Sequence, residues 1–436
     1  MSGNVKRRRR VETGVQLNAK QQSIFNYLTE KDTFEPIFVS GCAGTGKSAL
    51  LKALRKFWFK EKKTVVVAAY TNLAARNVQG KTCHSAFGFD FKLNIRRIPL
   101  SSKPDYVIID EISMIPAQML DKIDTKLKYS SGATSEPFGG VGVVVFGDLY
   151  QLPPVDKNVT TKPVYEANVW PSFKLFELTE NMRQSEALFI DNLNSLRTGN
   201  TSCVDFFSTL TLKQPPTVEN QLNSTCLVST HNEANIINAN CYESIAADQL
   251  EIVIQLKERL VSRKEVRGDT QIYNVEQENL IFKRDLKLCP KTRIMITHTT
   301  KNFCNGDFCV VEKVASDDND DYRVHVRREY DDALMELQSV SIFFFSDERG
   351  QVRRVTGLPL TYGWAVTIHK AQGMSLKNLI VYPACMFAPG HAYVALSRSV
   401  HSSGLKLVSE LPKRAICDMS HVTDAYASMP RISLDV

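Results

Sequence analysis

No stretch of this chain approaches the roughly eighteen consecutive apolar residues of a membrane-spanning helix. Its first ten residues, MSGNVKRRRR, carry a charge run where a secretory leader needs an apolar segment. The expectation is therefore a soluble, intracellular protein with no membrane partner. The ten cysteines supply no C-x-x-C pair, and the closest two, Cys304 and Cys309, lack a second pair at zinc-site spacing. Reduced, mostly buried thiols follow. Internal repeats and low-complexity linkers are missing. No carboxylate cluster stands apart from the motifs below, which leaves a nuclease reading without support.

What is present is globular. At 436 residues and 43% hydrophobic content the chain exceeds one ordinary core, so two or more domains are expected. The net charge is +7, with Lys and Arg gathered at the N-terminus, in Leu54 to Lys63, and at Arg96 and Arg97. Such clusters suit nucleic acid, although solvated helix faces look the same in sequence. Lys6 to Arg10 reads equally as a nuclear import signal, a phosphate-contacting arm or a disordered tail.

Continuous Val/Ile runs at 36–41, 64–70, 106–110 and 141–148 alternate with helical segments, the pattern of parallel strands covered on both faces. A second α/β region is expected from the runs at 224–230, 378–383 and 404–409, with a helix in HNEANIINANCYESIAADQ. Between them, TRIMITH, DFCVVEKV, YRVHVRR and SVSIFFF are separated by turns, a meander that suggests a small all-β barrel over roughly 287–355. The acidic run Asp317 to Asp321 is read as a solvated hairpin tip.

The chemistry starts at VSGCAGTGKSALLKAL. From Gly41 to Ser48 the pattern G-x-x-x-x-G-K-S joins a strand to a helix, so glycines can let backbone N–H groups cradle phosphates, Lys47 can reach the outer phosphates and Ser48 can hold Mg2+. Gly41, Gly44, Thr45, Gly46, Lys47 and Ser48 are thus the candidate nucleotide loop. Upstream, Gln21 or Gln22 can pair with an adenine edge through donor and acceptor together. In YVIIDEISM, Asp110 ends a strand and should share the metal with Ser48. Glu111 is then placed to orient and deprotonate water at the γ-phosphate. GDLYQLPPV offers Asp148 and Gln151 at a further strand end, with Gln151 as γ-phosphate sensor and Pro153 and Pro154 stiffening the loop. Arg183 in LTENMRQ and Arg398 in YVALSRS can supply positive charge to the phosphoryl transition state.

Taken together, GCAGTGKS, DEISM, GDLYQLPPV, ENMRQ, YGWAVTIHKAQGMS and YVALSRS resemble the ordered motifs of superfamily-one DNA helicases, most closely the petite-integration-frequency type, with phage Dda and RecD-like helicases as relatives. The resemblance runs from Leu17 to about Val408. It implies an α/β fold of two RecA-like lobes, with a pin insertion in the first and an SH3-like β-barrel insertion in the second. It also implies ATP bound with Mg2+ in the inter-lobe cleft, and ATP-driven 5′–3′ translocation on single-stranded DNA that unwinds forked duplex by lobe closure. The boundaries expected are a basic tail at 1–14, a first lobe at 15–178 with the pin at about 88–104, a second lobe at 179–286 and 358–436, and the β insertion at 287–357. The expected agent is a monomer on DNA, nuclear in location, with replication, repair and recombination as its settings.

Carried over by motif, Gln21 becomes the adenine reader, and Lys47, Asp110, Glu111, Gln151, Arg183 and Arg398 the catalytic set. Gln372 and Gly373 face the nucleotide. Thr71, His84 and Phe87 come near the DNA strand, as do Thr367, His369 and Lys370. Asn72 stands where the family has glycine, which changes the backbone contact expected there. Phe89 and Phe91 serve either as a fork wedge that stacks on bases or as the core of a small hairpin. Trp364 matches a family position and also suits a buried core. Two other readings are an RNA-directed translocase, separable by its preference for RNA duplexes, and a non-catalytic module, whose signature would be loss of Lys47, Glu111 or an arginine finger.

Overall fold

The computed structural model describes residues 16–30, 35–89, 93, 103–154, 161–266, 270, 272–316, 322–346, 351–386 and 388–434. The basic tail, Phe91, Arg96, Arg97, most of the pin insertion and the acidic run at 317–321 lie outside them. Two compact units divide the chain: residues up to Val204 with 388–397 and 413–434, and Asp205–Met386 with Arg398–Pro412. The segments 179–204, 388–397 and 413–434 thus pack with the first unit, where the expected boundaries placed them in the second.

The first unit runs α1 (Ala19–Glu30), β1 (Ile37–Gly41), α2 (Lys47–Lys60), β2 (Val65–Ala69), α3 (Asn72–Asn77), β3 (Lys81–Thr82) and α4 (Cys83–Phe87), then β4 (Tyr106–Asp110), α5 (Ala117–Ser131), β5 (Gly142–Gly147), β6 (Lys174–Leu178) and α6 (Ala187–Arg197). Its six strands form a parallel sheet in the order β3-β2-β4-β5-β1-β6. Every residue of β1, β4 and β5 is buried. Alternation then sorts their side chains onto two faces. Phe38, Val107, Ile109, Val143 and Val145 join α5 residues on one side, while Ile37, Val39, Ile108, Val144 and Phe146 join α1 and α2 on the other. Covering both faces fixes a core on each, and leaves the C-terminal ends of the strands, where Gly41, Asp110 and Gly147 sit, as the place for a ligand.

The chain's last segment completes this unit. Met419, Val422, Tyr426 and Met429 enter the core beside Phe38 and Leu175. Leu175 N donates to Pro430 O at 2.8 Å and Ile432 N to Leu175 O at 3.0 Å, continuing the sheet beyond β6.

The second unit has its own parallel sheet, in the order Ala365–Thr367, Thr225–Val228, Leu379–Val381, Leu405–Leu407. Helix His231–Ala246 packs on it through Ala234, Ile237, Cys241 and Tyr242, with Trp364 buried among them. Thr230 and Glu233 cap that helix reciprocally. Parallel sheets flanked by helices make the fold α/β in both units.

In sequence between Thr225–Val228 and Ala365–Thr367, a five-stranded antiparallel sheet (Leu334–Gln338, Tyr322–Arg328, Phe308–Ser316, Arg293–Ile296, Leu360–Tyr362) encloses Val311, Val324, Val326 and Leu337. Val340–Phe345, expected in the same meander, instead pairs with Gln351–Gly357 in a separate four-stranded sheet over Phe282. The reason is local. Its alternating Ile342 and Phe344 need an apolar cover, and Ile281 and Phe282 at the end of helix Val275–Ile281 provide it.

Candidate nucleotide site and nucleic-acid contacts

β1 delivers the chain to Gly41, and α2 restarts it at Lys47, so the intervening loop hangs at the sheet's C-terminal edge. Gly46 caps α2 at φ +76° with no side-chain cap, leaving the first helical amides for an anion. A Cβ on Gly46 would overlap the Gln21 amide. That contact explains both the glycine and the glutamine. Gln21 is buried, donates from Nε2 to Thr45 O at 3.0 Å and accepts from Asn18 N at Oε1, also at 3.0 Å. In this arrangement the amide braces the loop.

Lys47 donates to Gly41 O at 2.5 Å and Cys42 O at 3.0 Å. Burial pulls its pKa down, against the upward influence of Asp148, Glu111 and Asp110. A cation held against loop carbonyls and desolvated is poised to exchange them for phosphate oxygens. Asp110 is buried at the end of β4, and burial, followed by the adjacent Glu111 carboxylate, drives its pKa upward. Glu111 takes φ +52°, a left-handed conformation unusual for this residue, and its N donates to Asp110 Oδ1 at 3.0 Å.

The ENMRQ segment closes on the same loop. Met182 N donates to Gly44 O at 2.7 Å, Asn181 Nδ2 to Ala43 O at 3.2 Å, and Asn181 Oδ1 accepts from the backbone N–H of Arg183 and Gln184. Arg183 therefore belongs beside the loop within the first unit, held by Nη1 to Ser397 O at 3.1 Å. The expected boundaries, with a second lobe from 179, place it in the other unit. Gln151 is buried, its N donating to Asp148 O at 3.0 Å.

Four residues of this network were not singled out. Arg197 grips Asp148 with Nε at 2.9 Å and Nη2 at 2.8 Å and lies 4.3 Å over the Tyr150 ring. Tyr393 joins Ala43 N to Asp148, Tyr426 joins Ser40 Oγ to Leu149 N, and Asn181 pins the loop. A lone arginine at a helix end carries no local signal. Tyr393 and Asn181 do lie inside YVALSRS and ENMRQ, where membership of an arginine-bearing motif is the available clue.

The strand-contact candidates divide between the units. Thr71, just past β2, caps α3 by accepting from Ala74 N at 3.2 Å, with Asn72 exposed as the first helical residue. His84 is half-buried beside Tyr70. Phe87 and Phe89 are 0% and 7% exposed, their rings 6.0 Å apart in the core. Neither offers a free face to a base: Phe89 takes the core alternative, and Phe87, expected near the DNA strand, is buried in the same core because both rings join the apolar cluster that includes Ile115 and Leu120.

In the second unit, Thr367 is buried at its strand's end and precedes the short helix Ile368–Ala371 that carries His369 and Lys370. Burial, then Lys283, lowers Lys370 to about 8. Burial, then Lys370 and Lys283, lowers His231 as well. Lys283 thus lies near enough to act on both Lys370 and His231, a grouping that the sequence did not reveal. Gln372 is buried, Gly373 turns at φ +83°, and Arg398 donates from Nη1 to Met374 O at 3.4 Å. Met374 of KAQGMS and Arg398 of YVALSRS meet there within the second unit.

Among the described residues no group of three or more His, Cys, Asp or Glu could hold a metal, and no helix is long and apolar enough to cross a membrane.

The chain matches the family model of PIF1-like helicases over residues 16–205. It is 30% identical over 431 residues to the ATP-dependent DNA helicase Pif1 of Bdellovibrio bacteriovorus, covering 93% of this chain and 90% of that protein. Against Pif1 of Campylobacter jejuni it is 26% identical over 422 residues, covering 88% and 91%. Its fold resembles the crystal structure of Pif1 helicase from Bacteroides in complex with ADP-AlF3 and single-stranded DNA, with a TM-score of 0.75 at 27% identity, covering 95% of this chain and 97% of that one. On its phosphate-loop geometry, its α/β architecture and these similarities, the chain belongs to the PIF1-like helicase family.

Proposed function

We propose that this protein is an ATP-dependent DNA helicase that translocates 5′–3′ on single-stranded DNA and unwinds forked duplex. One observation carries the reading: within the first unit, a phosphate loop with Lys47 and Ser48 shares its sheet edge with Asp110 and Glu111, and Arg183 is tied to the same loop. Each residue has a step. Backbone amides from Gly44 to Ser48 and the Lys47 ammonium bind the phosphates, Glu111 positions and deprotonates the attacking water, and Gln151 and Arg183 bear on the γ-phosphate. Arg398, from the second unit, completes the positive charge in this proposal.

The oxygen donors Ser48 and Asp110 fit Mg2+. It is a hard cation that takes one or two carboxylates plus substrate phosphates rather than an all-protein cage, and Asp110 is a buried carboxyl whose charged form burial and Glu111 disfavour more than Lys47 and Lys52 favour it. Ser48 and Asp110 would hold the ion, which would supply Lewis-acid stabilisation of phosphate charge.

DNA contacts are assigned to Thr71, Asn72 and His84 in the first unit and to Thr367, His369 and Lys370 in the second, with His231 and Lys283 added. ATP-driven lobe closure, action as a monomer and nuclear location belong to the same proposal. The decisive experiment measures ATP hydrolysis with and without single-stranded DNA, then unwinding of a tailed duplex. DNA-stimulated hydrolysis with unwinding is expected. Hydrolysis indifferent to DNA, with no unwinding, contradicts it.

A further inference from the structure

Residues 390–397 touch the γ-phosphate end of the site at three points. At the first, Gly390 (φ +77°) packs against Gln151 so closely that a Cβ would lie 2.8 Å from the Gln151 carbonyl carbon and oxygen. In the middle of helix His391–Leu396, the buried Tyr393 hydroxyl accepts from Ala43 N at 2.8 Å and donates to Asp148 Oδ2 at 3.2 Å. At the end, Ser397 O accepts from Arg183 Nη1 at 3.1 Å and Gln184 Nε2 at 3.4 Å. The loop, the γ-phosphate sensor and the arginine therefore share one brace. Arg398 is the next residue in the chain.

The centre of the brace is rigid. Asp148 is fixed by Arg197 through two nitrogens and by Tyr150 N at 3.2 Å, and its own backbone carbonyl holds Gln151 N. The Tyr393 hydroxyl thus links Ala43, in the loop, to the residue that sets Gln151. A hydroxyl has one proton to donate, and here it points to a carboxylate while a lone pair takes the loop amide. Phenylalanine keeps the ring's packing and loses both bonds.

Resting on the ATPase reading above, we propose that Tyr393 is a positioning residue for hydrolysis: its hydroxyl locks the phosphate loop to Asp148 so that Gln151 and Arg183 are aligned on the γ-phosphate. Phosphate binding itself draws on other amides and on Lys47, so the lock governs turnover more than affinity.

The test is Tyr393→Phe in the full chain, with Gly390→Ala as a second variant that disturbs the Gln151 end without touching the hydroxyl. ATPase is measured at saturating single-stranded DNA across ATP concentrations, and ADP affinity by a fluorescent analogue. The expected result is a fall in kcat of up to about a hundredfold, the scale of a misplacement in a catalytic site, with KM for ATP and ADP affinity within about twofold of wild type. Retained ADP binding certifies the fold. A Tyr393→Phe enzyme that binds ADP and keeps wild-type kcat overturns the inference, even if its melting temperature falls, because that is the signature of a purely structural hydroxyl. Equal loss of affinity and kcat overturns it too. Absence of ATPase in the wild type contradicts the function proposed above instead, so the two failures are distinguishable.

Discussion

Arg197 and Asp148 form a buried two-point ion pair, with side chains 12% and 0% exposed. Asp148 raises the Arg197 pKa well above its usual value despite burial. Breaking such a pair by removing one partner leaves an uncompensated buried charge, which costs about 3–5 kcal/mol. Arg197→Ala should therefore lower the first unit's unfolding free energy by that amount, read as a fall in its urea midpoint at unchanged slope. An unchanged midpoint would mean the pair contributes nothing to the fold.

Gly46 and Gln21 limit each other. Gly46→Ala should abolish nucleotide binding and destabilise the protein, since the left-handed conformation costs a side chain about 1–2 kcal/mol and the methyl also meets the Gln21 amide. Adding Gln21→Ala removes the overlap and leaves the backbone strain. Thermal melting should then show partial recovery in the double variant, whereas full recovery would locate the whole cost in the overlap.

On the proposed strand contacts, Lys370 should make DNA affinity depend on pH. Its pKa is lowered to about 8 by burial and Lys283, and phosphate contact favours the charged form, so the bound value lies higher. Binding then takes up a proton above pH 8 and weakens as pH rises through that value. His231 and His369, which face the same grouping, are lowered from 6.5 and stay neutral there. Fluorescence anisotropy with a short oligonucleotide should show flat affinity from pH 7 to 8 and a decline of up to one decade per pH unit beyond. Lys370→Arg should flatten it. A pH-independent wild type would exclude Lys370 from the phosphate contacts.

The C-terminal segment is structural to the first unit. Tyr426 bonds Ser40 Oγ at 2.6 Å and Leu149 N at 3.0 Å, and Met419, Val422 and Met429 fill the core. Deleting residues 413–436 should remove the first unit's cooperative melt and its ADP binding together. A truncated chain that melts like the full one would contradict this packing.

How much of this could be read beforehand follows from the range of the interactions. The strands at 37–41, 65–69, 106–110 and 142–147 announced themselves because each is a continuous apolar run, and the loop because its spacing is local. Helix His231–Ala246 was equally legible from its cap and period. β6, KLFEL, does not stand out because its half-buried lysine and glutamate interrupt the run. Other features depend on partners distant in sequence: Arg197 on Asp148, Tyr393 on Ala43, Leu175 on Arg431. Nothing within a few residues of either partner encodes those meetings. Phe87 and Phe89 show the converse, since an aromatic beside a candidate DNA motif reads alike whether it stacks on bases or fills a core.

The central claim is a motor driven 5′–3′ by ATP. Its most direct test is strand displacement on two duplexes identical except for the polarity of a single-stranded tail, with Lys47→Ala as the inactive reference. Unwinding of the 5′-tailed duplex alone, dependent on ATP and lost with Lys47→Ala, is the predicted result. Preferential unwinding of the 3′-tailed duplex, or of neither, would contradict the account.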